Sequence, residues 1–174
     1  MSSVAAAPAS CGTGKRRDGR YDGRAAVLEK PAVQAPLTAL LEECPSLGLL
    51  RFIVTNDTAV LEVRGEFQGL FFVPHLPHYA NLHADHFEFH LNMAEIGLVR
   101  FEELPARRGN FTTYAIRFLK AEGAKPALSL FLQWGKPGEY APGQVEAFQA
   151  LKAKYGETWI PEPTPLPETA TATH

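Results

Sequence analysis

Histidines are the residues of this chain whose type and spacing could do chemistry. The sequence contains six, and all but one lie close together, as His75, His78, His83, His86 and His90. Successive side chains of a β-strand point to opposite faces. A strand over residues 86–91 would therefore place His86, Glu88 and His90 on one face and three apolar residues on the other. Because imidazole binds transition metals and haem iron, the cluster predicts a site for a metal or a metal-bearing ring.

Two kinds of site fit these residues. A non-haem zinc or iron site needs at least three ligands that converge on one point, and His83, His86 and His90 are the candidates for it. A haem site instead needs one or two axial ligands, a wide apolar slot and cations for the propionates. Tyr79, beside His78, is a possible phenolate ligand. Candidate propionate partners are Arg51, Arg64 and Arg100, and the apolar slot would draw on Phe71, Phe72, Phe87, Phe89, Phe101, Phe131 and Trp134.

Composition excludes several other classes of protein. The 174 residues include 17 basic and 19 acidic side chains, for a net charge of −2, which argues against general nucleic-acid binding. The two cysteines, Cys11 and Cys44, have no ligand-like spacing, as expected in a reducing compartment. No apolar run approaches the ~20 residues that cross a bilayer. We therefore expect a cytoplasmic protein that does not insert into membranes. No nucleophile elbow, Walker loop or dinucleotide fingerprint is present, and no catalytic residue is predicted.

The pattern of apolar residues divides the chain into three parts. Residues 1–33 form an Ala-rich, basic tail that we expect to be disordered, residues 34–157 form one α+β domain, and residues 158–174 form a flexible tail rich in Pro and Thr. In the domain, a short helix that ends near Cys44 precedes the strands, and an amphipathic helix over 144–155 follows them. We predict about eight strands in one large, antiparallel, meandering sheet. The strands assigned are 49–54, 59–64, 69–73, 87–92, 95–103, 111–119 and 127–134.

Two prolines bear on the histidines. Pro74 and Pro77 interrupt regular strand pairing, because proline has no backbone N–H to donate to a neighbouring strand. We therefore expect His75 and His78 to lie on a loop or at the rim of the sheet.

The order of these motifs resembles the HutX/ChuX family of haem-utilisation proteins over about residues 36–156. Tyr79-Ala80-Asn81-Leu82 is similar to the aromatic-x-Asn-Leu strand of that family. His90-Leu91 is similar to its His-Leu pair, which precedes an Ile-x-Leu-Val strand, here Ile96-Gly97-Leu98-Val99. Residues 144–151 resemble its closing helix. Two segments depart from the family pattern: the family's His-Arg-His-Gly run is here residues 73–78, and its Glu-Arg-Lys after the Leu-Val strand is here residues 100–102.

The resemblance implies a split-barrel-like sheet related to half of the larger HemS-type haem proteins. It also implies a homodimer that binds haem as cargo and hands it to an acceptor protein inside the cell. His90 takes the position of a family histidine linked to haem, and His75, His78 and Tyr79 lie in the region that bears the other ligands. The cofactor-binding residues expected are His90, His78, Tyr79, His75, Arg100 and Phe89, of which His90, His78 and Tyr79 are the expected iron ligands. Two alternatives stay open: a haem-degrading enzyme that opens the ring, and a non-haem metal-binding module.

Overall fold

A computed structural model of the protein describes residues 35–162. The predicted basic tail, and the predicted C-terminal tail beyond residue 162, lie outside the described residues. The elements are helices α1 (Ala35–Glu43) and α2 (Gln144–Tyr155), 3₁₀ helices at Cys44–Leu47 and Met93–Glu95, and strands β1 (Leu49–Thr55), β2 (Val60–Glu66), β3 (Phe71–Val73), β4 (Leu76–His83), β5 (Glu88–Asn92), β6 (Leu98–Pro105), β7 (Thr112–Leu119), β8 (Pro126–Leu132) and β9 (Thr158–Trp159). The predicted α+β class is confirmed, and the bounds of α2 are those predicted.

The strands form two antiparallel sheets. The large sheet has six strands in the order β2-β1-β8-β7-β6-β9, and the small sheet has three in the order β3-β4-β5. Strand β9 pairs with β6 through Trp159 and Thr158, so the large sheet continues past residue 157, where the sequence placed the end of the domain. No helix in the described part of the chain is long and apolar enough to cross a membrane.

Strand β4 contains Pro77, although the apolar pattern predicts no strand there and this proline predicts an interruption of the pairing; residues 79–82 of β4 are the strand that the family resemblance implies. The pairing of β4 with β5 begins at Tyr79, and β4 pairs with β3 at Leu76 and Asn81, on either side of an irregularity. Neither register uses the backbone nitrogen of Pro77, so the residue removes no hydrogen bond between strands. His78 lies near the start of β4, before the stretch that pairs with β5, and His75 lies in the turn before β4.

Alternation along the strands of the large sheet produces one apolar face. Phe52 pairs with Leu130, Leu130 with Ile116, and Ile116 with Phe101, and each of these residues is at most 1% exposed. Helix α2 packs on this face through Phe148, whose ring centroid lies 5.7 Å from that of Phe101. The three leucines of α1, Leu37, Leu40 and Leu41, are also fully buried in the same cluster.

Aromatic rings join the small sheet to the β2 edge of the large sheet. The ring of Phe52 in β1 lies 5.3 Å from that of Phe87 and 5.9 Å from that of Phe89, between centroids. A side chain at Gly65 in β2 would place its Cβ 2.7 Å from the ring of Phe87, so glycine permits this close approach. This packing buries the inner face of the small sheet and leaves its other face toward solvent.

The end of α2 is tied to the end of α1 by hydrogen bonds to one carboxylate. Glu43 accepts hydrogen bonds from Lys154 Nζ at 2.7 Å and from Tyr155 Oη at 2.6 Å. These bonds lower the pKa of Glu43 below its ordinary value of 4.5. Because the folded-state pKa is lowered, the stabilisation is complete above the unfolded pKa and is lost as the pH falls through the folded one.

We therefore expect Glu43→Gln to lower the free energy of unfolding by about 1 kcal/mol at neutral pH. The difference from the wild type should shrink as the pH falls below the ordinary carboxyl pKa. Urea unfolding at about pH 7 and about pH 3 measures both effects. A difference that stays constant over that interval would show that the Glu43 charge does not stabilise the contact.

Candidate functional site

The exposed face of the small sheet carries a row of side chains from its three strands. Phe71 of β3 lies directly opposite Asn81 of β4, and Asn81 lies directly opposite His90 of β5. Strand alternation adds Tyr79 and His83 to this face. We call these five residues the histidine face. Its floor is closed by the residues that point the other way, Ala80, Leu82 and Leu91, which are all buried.

His90 is held at one ring nitrogen and open at the other. Its Nδ1 lies 2.7 Å from Oδ1 of Asn81. The Nε2 atom lies 4.0 Å from a carboxylate oxygen of Glu88, and 52% of the His90 side chain is exposed. Nε2 is therefore an accessible nitrogen on a ring whose orientation is set by its cross-strand neighbour Asn81.

Glu88 lies between two histidines on β4 and β5. His83 Nδ1 is 3.5 Å from one oxygen of Glu88, and His90 Nε2 is 4.0 Å from the other. The side chains of Glu88, His83 and His90 are 60%, 51% and 52% exposed, so water screens these pairs and they add little to stability. The carboxylate places a negative charge on the histidine face between its two half-exposed imidazoles.

His86 does not belong to this face, which corrects the predicted strand pattern. Strand β5 begins at Glu88, and His86 lies in the preceding turn. Its Nε2 lies 3.0 Å from the backbone oxygen of Arg64 in β2, so the ring caps the edge of the large sheet. His83, His86 and His90 therefore do not converge. Within residues 35–162, no group of three or more His, Cys, Asp or Glu side chains is placed to hold a metal ion.

The other residues that the sequence predicts for the site do not all lie on the histidine face. His78 is next to Tyr79 in β4, and their rings are in contact with centroids 4.8 Å apart. Tyr79 shares the histidine face with His90, since it pairs with Asn92, two residues from His90 on β5. His75 is exposed in the turn before β4. The structure thus brings Tyr79 to the face of His90, and His78 to the ring of Tyr79.

Phe89 and Arg100 lie away from the histidine face. Phe89 packs its ring 5.9 Å from that of Phe52, on the inner side of the small sheet. Arg100 belongs to β6 of the large sheet, where its Nη2 donates to both carboxylate oxygens of Glu122 at 2.7 and 2.9 Å. Of the two other arginines considered for propionates, Arg51 lies over Phe131 and Trp134 and beside Glu62.

Asn81 is a residue of the histidine face that the sequence does not predict as a site residue, whereas Phe71 is one of the aromatic residues predicted for the apolar slot. Asn81 is only 5% exposed and contacts His90, while Phe71 is 39% exposed although it is a large apolar side chain. The sequence signal for Asn81 is its position in the aromatic-x-Asn-Leu segment. The place of Phe71 beside Asn81 depends on the pairing of β3 with β4, which the sequence pattern does not show.

A groove between helices α1 and α2 lies apart from the histidine face. It has a volume of about 400 Å³ and is lined by Glu42, Glu43, Ser46, Ala147, Ala150 and Leu151. Beside it, Cys44 is fully buried, and burial raises the pKa of its thiol to about 12. A thiol with this pKa stays protonated and unreactive at neutral pH, so Cys44 is a core residue.

The fold and the histidine face define an α+β protein with an accessible imidazole on an open sheet. The family model for haem utilisation ChuX/HutX matches residues 32–151, and the chain belongs to this family. The match spans α1, all strands from β1 to β8 and most of α2. It confirms the resemblance seen in the sequence and supports haem as the ligand of the protein.

Solved structures share the fold at low sequence identity. The crystal structure of ChuX has 21% identity and a TM-score of 0.56, and the match covers 70% of this chain and 72% of that one. A protein from Agrobacterium tumefaciens has 20% identity and a TM-score of 0.57, with 71% and 69% covered. Holo-PhuS, a heme-binding protein from Pseudomonas aeruginosa, has 16% identity and a TM-score of 0.52, with 78% of this chain and 37% of PhuS covered. No curated protein matched this chain.

Proposed function

We propose that this protein is a non-catalytic haem carrier of the cytoplasm, which binds haem through His90 and passes it to an acceptor protein. The observation that carries the proposal is the accessible Nε2 of His90 on an open sheet face, in a chain that belongs to a haem-utilisation family. A carrier is expected to hold iron by few ligands in an open place, because release must remain possible.

The residues of the histidine face fit a haem better than a bare ion. A haem iron needs only one or two axial ligands from the protein, and an imidazole or a phenolate serves. His90 supplies the imidazole, and Tyr79 supplies a phenol on the same face. The exposed ring of Phe71 supplies an apolar surface in the same row, which a flat apolar ligand would cover. When bound, the haem contributes its iron and its ring, and these residues bind and orient it.

The remaining expected residues take secondary roles in the proposal. His78 or Tyr79 is the second ligand, or the one used in handover, since their rings touch. His75, in the exposed turn before β4, is an accessible imidazole three residues from His78. Arg100 would bind a propionate in competition with Glu122, because both oxygens of that carboxylate accept hydrogen bonds from its Nη2.

Titration of the purified protein with hemin tests the proposal. We expect a sharpened, shifted Soret band that saturates at a defined ratio of hemin to protein. Saturation at no defined ratio, with the spectrum of free hemin, would contradict it. A stoichiometric metal content without a porphyrin spectrum, in protein grown with zinc and iron, would instead identify a non-haem metal-binding module.

The second candidate is an enzyme that opens the haem ring. One solved structure with the same fold is that of ChuS, an E. coli heme oxygenase, at 16% identity and a TM-score of 0.55, with 35% of ChuS covered. Incubation of the hemin complex with ascorbate separates the two functions. A carrier keeps its Soret band, whereas bleaching of the band with release of iron would show ring opening.

The proposal includes a homodimer, as the family resemblance implies. Sedimentation equilibrium should then give a mass of twice the 19.1 kDa chain. The mass of a single chain at all concentrations would contradict the dimer and leave haem binding by His90 to be judged by the titration.

A further inference from the structure

We propose that Asn81 is a positioning residue that decides which ring nitrogen of His90 carries the hydrogen, so that Nε2 presents its lone pair outward. The inference rests on the proposed function only in naming haem iron as the partner of Nε2. The state of the imidazole itself follows from the contacts of Asn81 and can be measured without haem.

The orientation of the Asn81 amide is determined by two backbone carbonyls. Its Nδ2 donates to the oxygen of Phe71 and to the oxygen of Tyr79, both at 3.1 Å. Rotating the amide by half a turn would bring Oδ1 against both carbonyl oxygens and would remove both hydrogen bonds. Because Asn81 is only 5% exposed, solvent would not compensate. The hydrogen-bond network therefore assigns the nitrogen and oxygen of this amide.

This orientation leaves Oδ1 of Asn81 to face His90. The oxygen can only accept a hydrogen bond, and it lies 2.7 Å from Nδ1 of His90. An Nδ1 without hydrogen would place two lone pairs against each other at that distance. Nδ1 therefore carries the hydrogen, and in the neutral ring Nε2 is the nitrogen with the free lone pair.

No other contact of His90 opposes this assignment. The nearest acceptor to Nε2 is the Glu88 carboxylate at 4.0 Å, which is too far for a hydrogen bond. His86 provides an internal contrast, because its Nε2 lies 3.0 Å from the Arg64 oxygen and must donate to it. These two histidines are thus held in opposite tautomers, and of the two it is His90 that offers Nε2 to a ligand.

A ligand prepared in this way has two advantages. The ring meets iron with its lone pair already in place, so no proton has to move between the two nitrogens. A hydrogen bond at the other ring nitrogen also fixes the ring orientation and raises the basicity of the ligand, and loss of such a partner typically weakens metal binding about 10- to 100-fold.

Nitrogen NMR of the imidazoles in the haem-free protein tests the inference directly. At about pH 8, above the roughly 6.5 at which imidazole ordinarily titrates, we expect His90 to show a protonated Nδ1 and an unprotonated Nε2, and His86 to show the reverse. Signals of His90 that report hydrogen on Nε2, or an even average of the two forms, would overturn the inference whatever the haem affinity.

The Asn81→Ala variant supplies the second readout. We expect the His90 signals to move toward the mixture of tautomers and hemin affinity to fall about 10- to 100-fold. The matched control is Asn92→Ala, because Asn92 is a neighbouring asparagine on β5 whose Oδ1 accepts from the backbone of Ala94. Asn92→Ala should leave the His90 tautomer unchanged. An Asn81→Ala protein that retains the hydrogen on Nδ1 would show that another group sets it.

The two proposals fail in different ways. Wild-type protein with the expected tautomer but no defined hemin binding would refute the carrier and leave the role of Asn81 standing. Saturable hemin binding through His90 in a protein with the other tautomer would refute the role of Asn81 and leave the carrier standing.

Discussion

We expect His90→Ala to abolish the shifted Soret band that is predicted for hemin with the wild-type protein, and this is the largest effect that we predict. His90 carries the accessible Nε2 of the histidine face, and its Nδ1 is engaged by Asn81 at 2.7 Å. Loss of the ligand atom itself should weaken hemin binding by more than the roughly 100-fold that loss of a supporting residue can cause. Far-UV circular dichroism should be unchanged, because the His90 side chain is half exposed.

His83→Ala is the matched control for this change. His83 lies on the same face, is 51% exposed and contacts the same carboxylate of Glu88, but its ring has no contact with Asn81. We expect the Soret band of this variant to match that of the wild type. Equal loss of the Soret band in both variants would show that the histidine face as a whole, and not His90 in particular, binds the hemin. An unaltered band in His90→Ala would refute His90 as the iron ligand.

Phe52→Ala should destabilise the protein by about 4 kcal/mol, the second large effect. Phe52 is 1% exposed and its ring contacts Phe67, Phe87 and Phe89, with centroids 5.3 to 5.9 Å apart. Its removal opens a cavity at the junction of the two sheets, where collapse is resisted by rings on both sides. Urea denaturation measures the change in the free energy of unfolding.

Leu61→Ala is the control for the core substitution. Leu61 lies in β2, the strand next to that of Phe52, but it is 61% exposed, so its loss should change stability by less than about 0.5 kcal/mol. A cost below about 1 kcal/mol for Phe52→Ala would show that the aromatic junction does not hold the sheets together.

Local sequence pattern was sufficient for most of the fold. Gln144–Tyr155 is helical as predicted, because Phe148 and Leu151 recur on one face and Gly156, at a φ of 91°, ends the helix. The hairpin of β1 and β2 also forms, with Asn56 Oδ1 accepting from the backbone nitrogens of Thr58 and Ala59. These features depend on neighbours in the chain, which a sequence displays.

Features that depend on pairing between distant residues were not predicted. The division into two sheets depends on β4, and Pro77 in the sequence predicts an interruption where this strand runs. The two-residue strand β9 carries no pattern of its own and is held by its pairing with Val99 and Arg100 of β6. A strand of that length is set by its partner and not by its own sequence.

The same contrast between local pattern and distant pairing applies to the candidate site. Alternation predicts Glu88 and His90 on one face, as the structure shows. It also predicts His86 on that face, but His86 lies in the turn before β5 and its ring contacts the backbone oxygen of Arg64. The clustering of histidines in the sequence indicates the region of the site, but it does not distinguish His83 and His90, which lie on the histidine face, from His86, which does not. Asn81 and Phe71 join the site only through the registers Phe71–Asn81 and Asn81–His90, which place residues from three strands side by side.

Chemical-shift mapping with gallium protoporphyrin tests most directly whether the ligand lies on the histidine face. This diamagnetic analogue of haem leaves the amide signals of the whole protein observable. We predict that the largest changes fall on β3, β4 and β5, at Phe71, Tyr79, Asn81, His83 and His90. Changes confined to the groove between α1 and α2, or to the strands of the large sheet, with none at His90, would contradict the assignment.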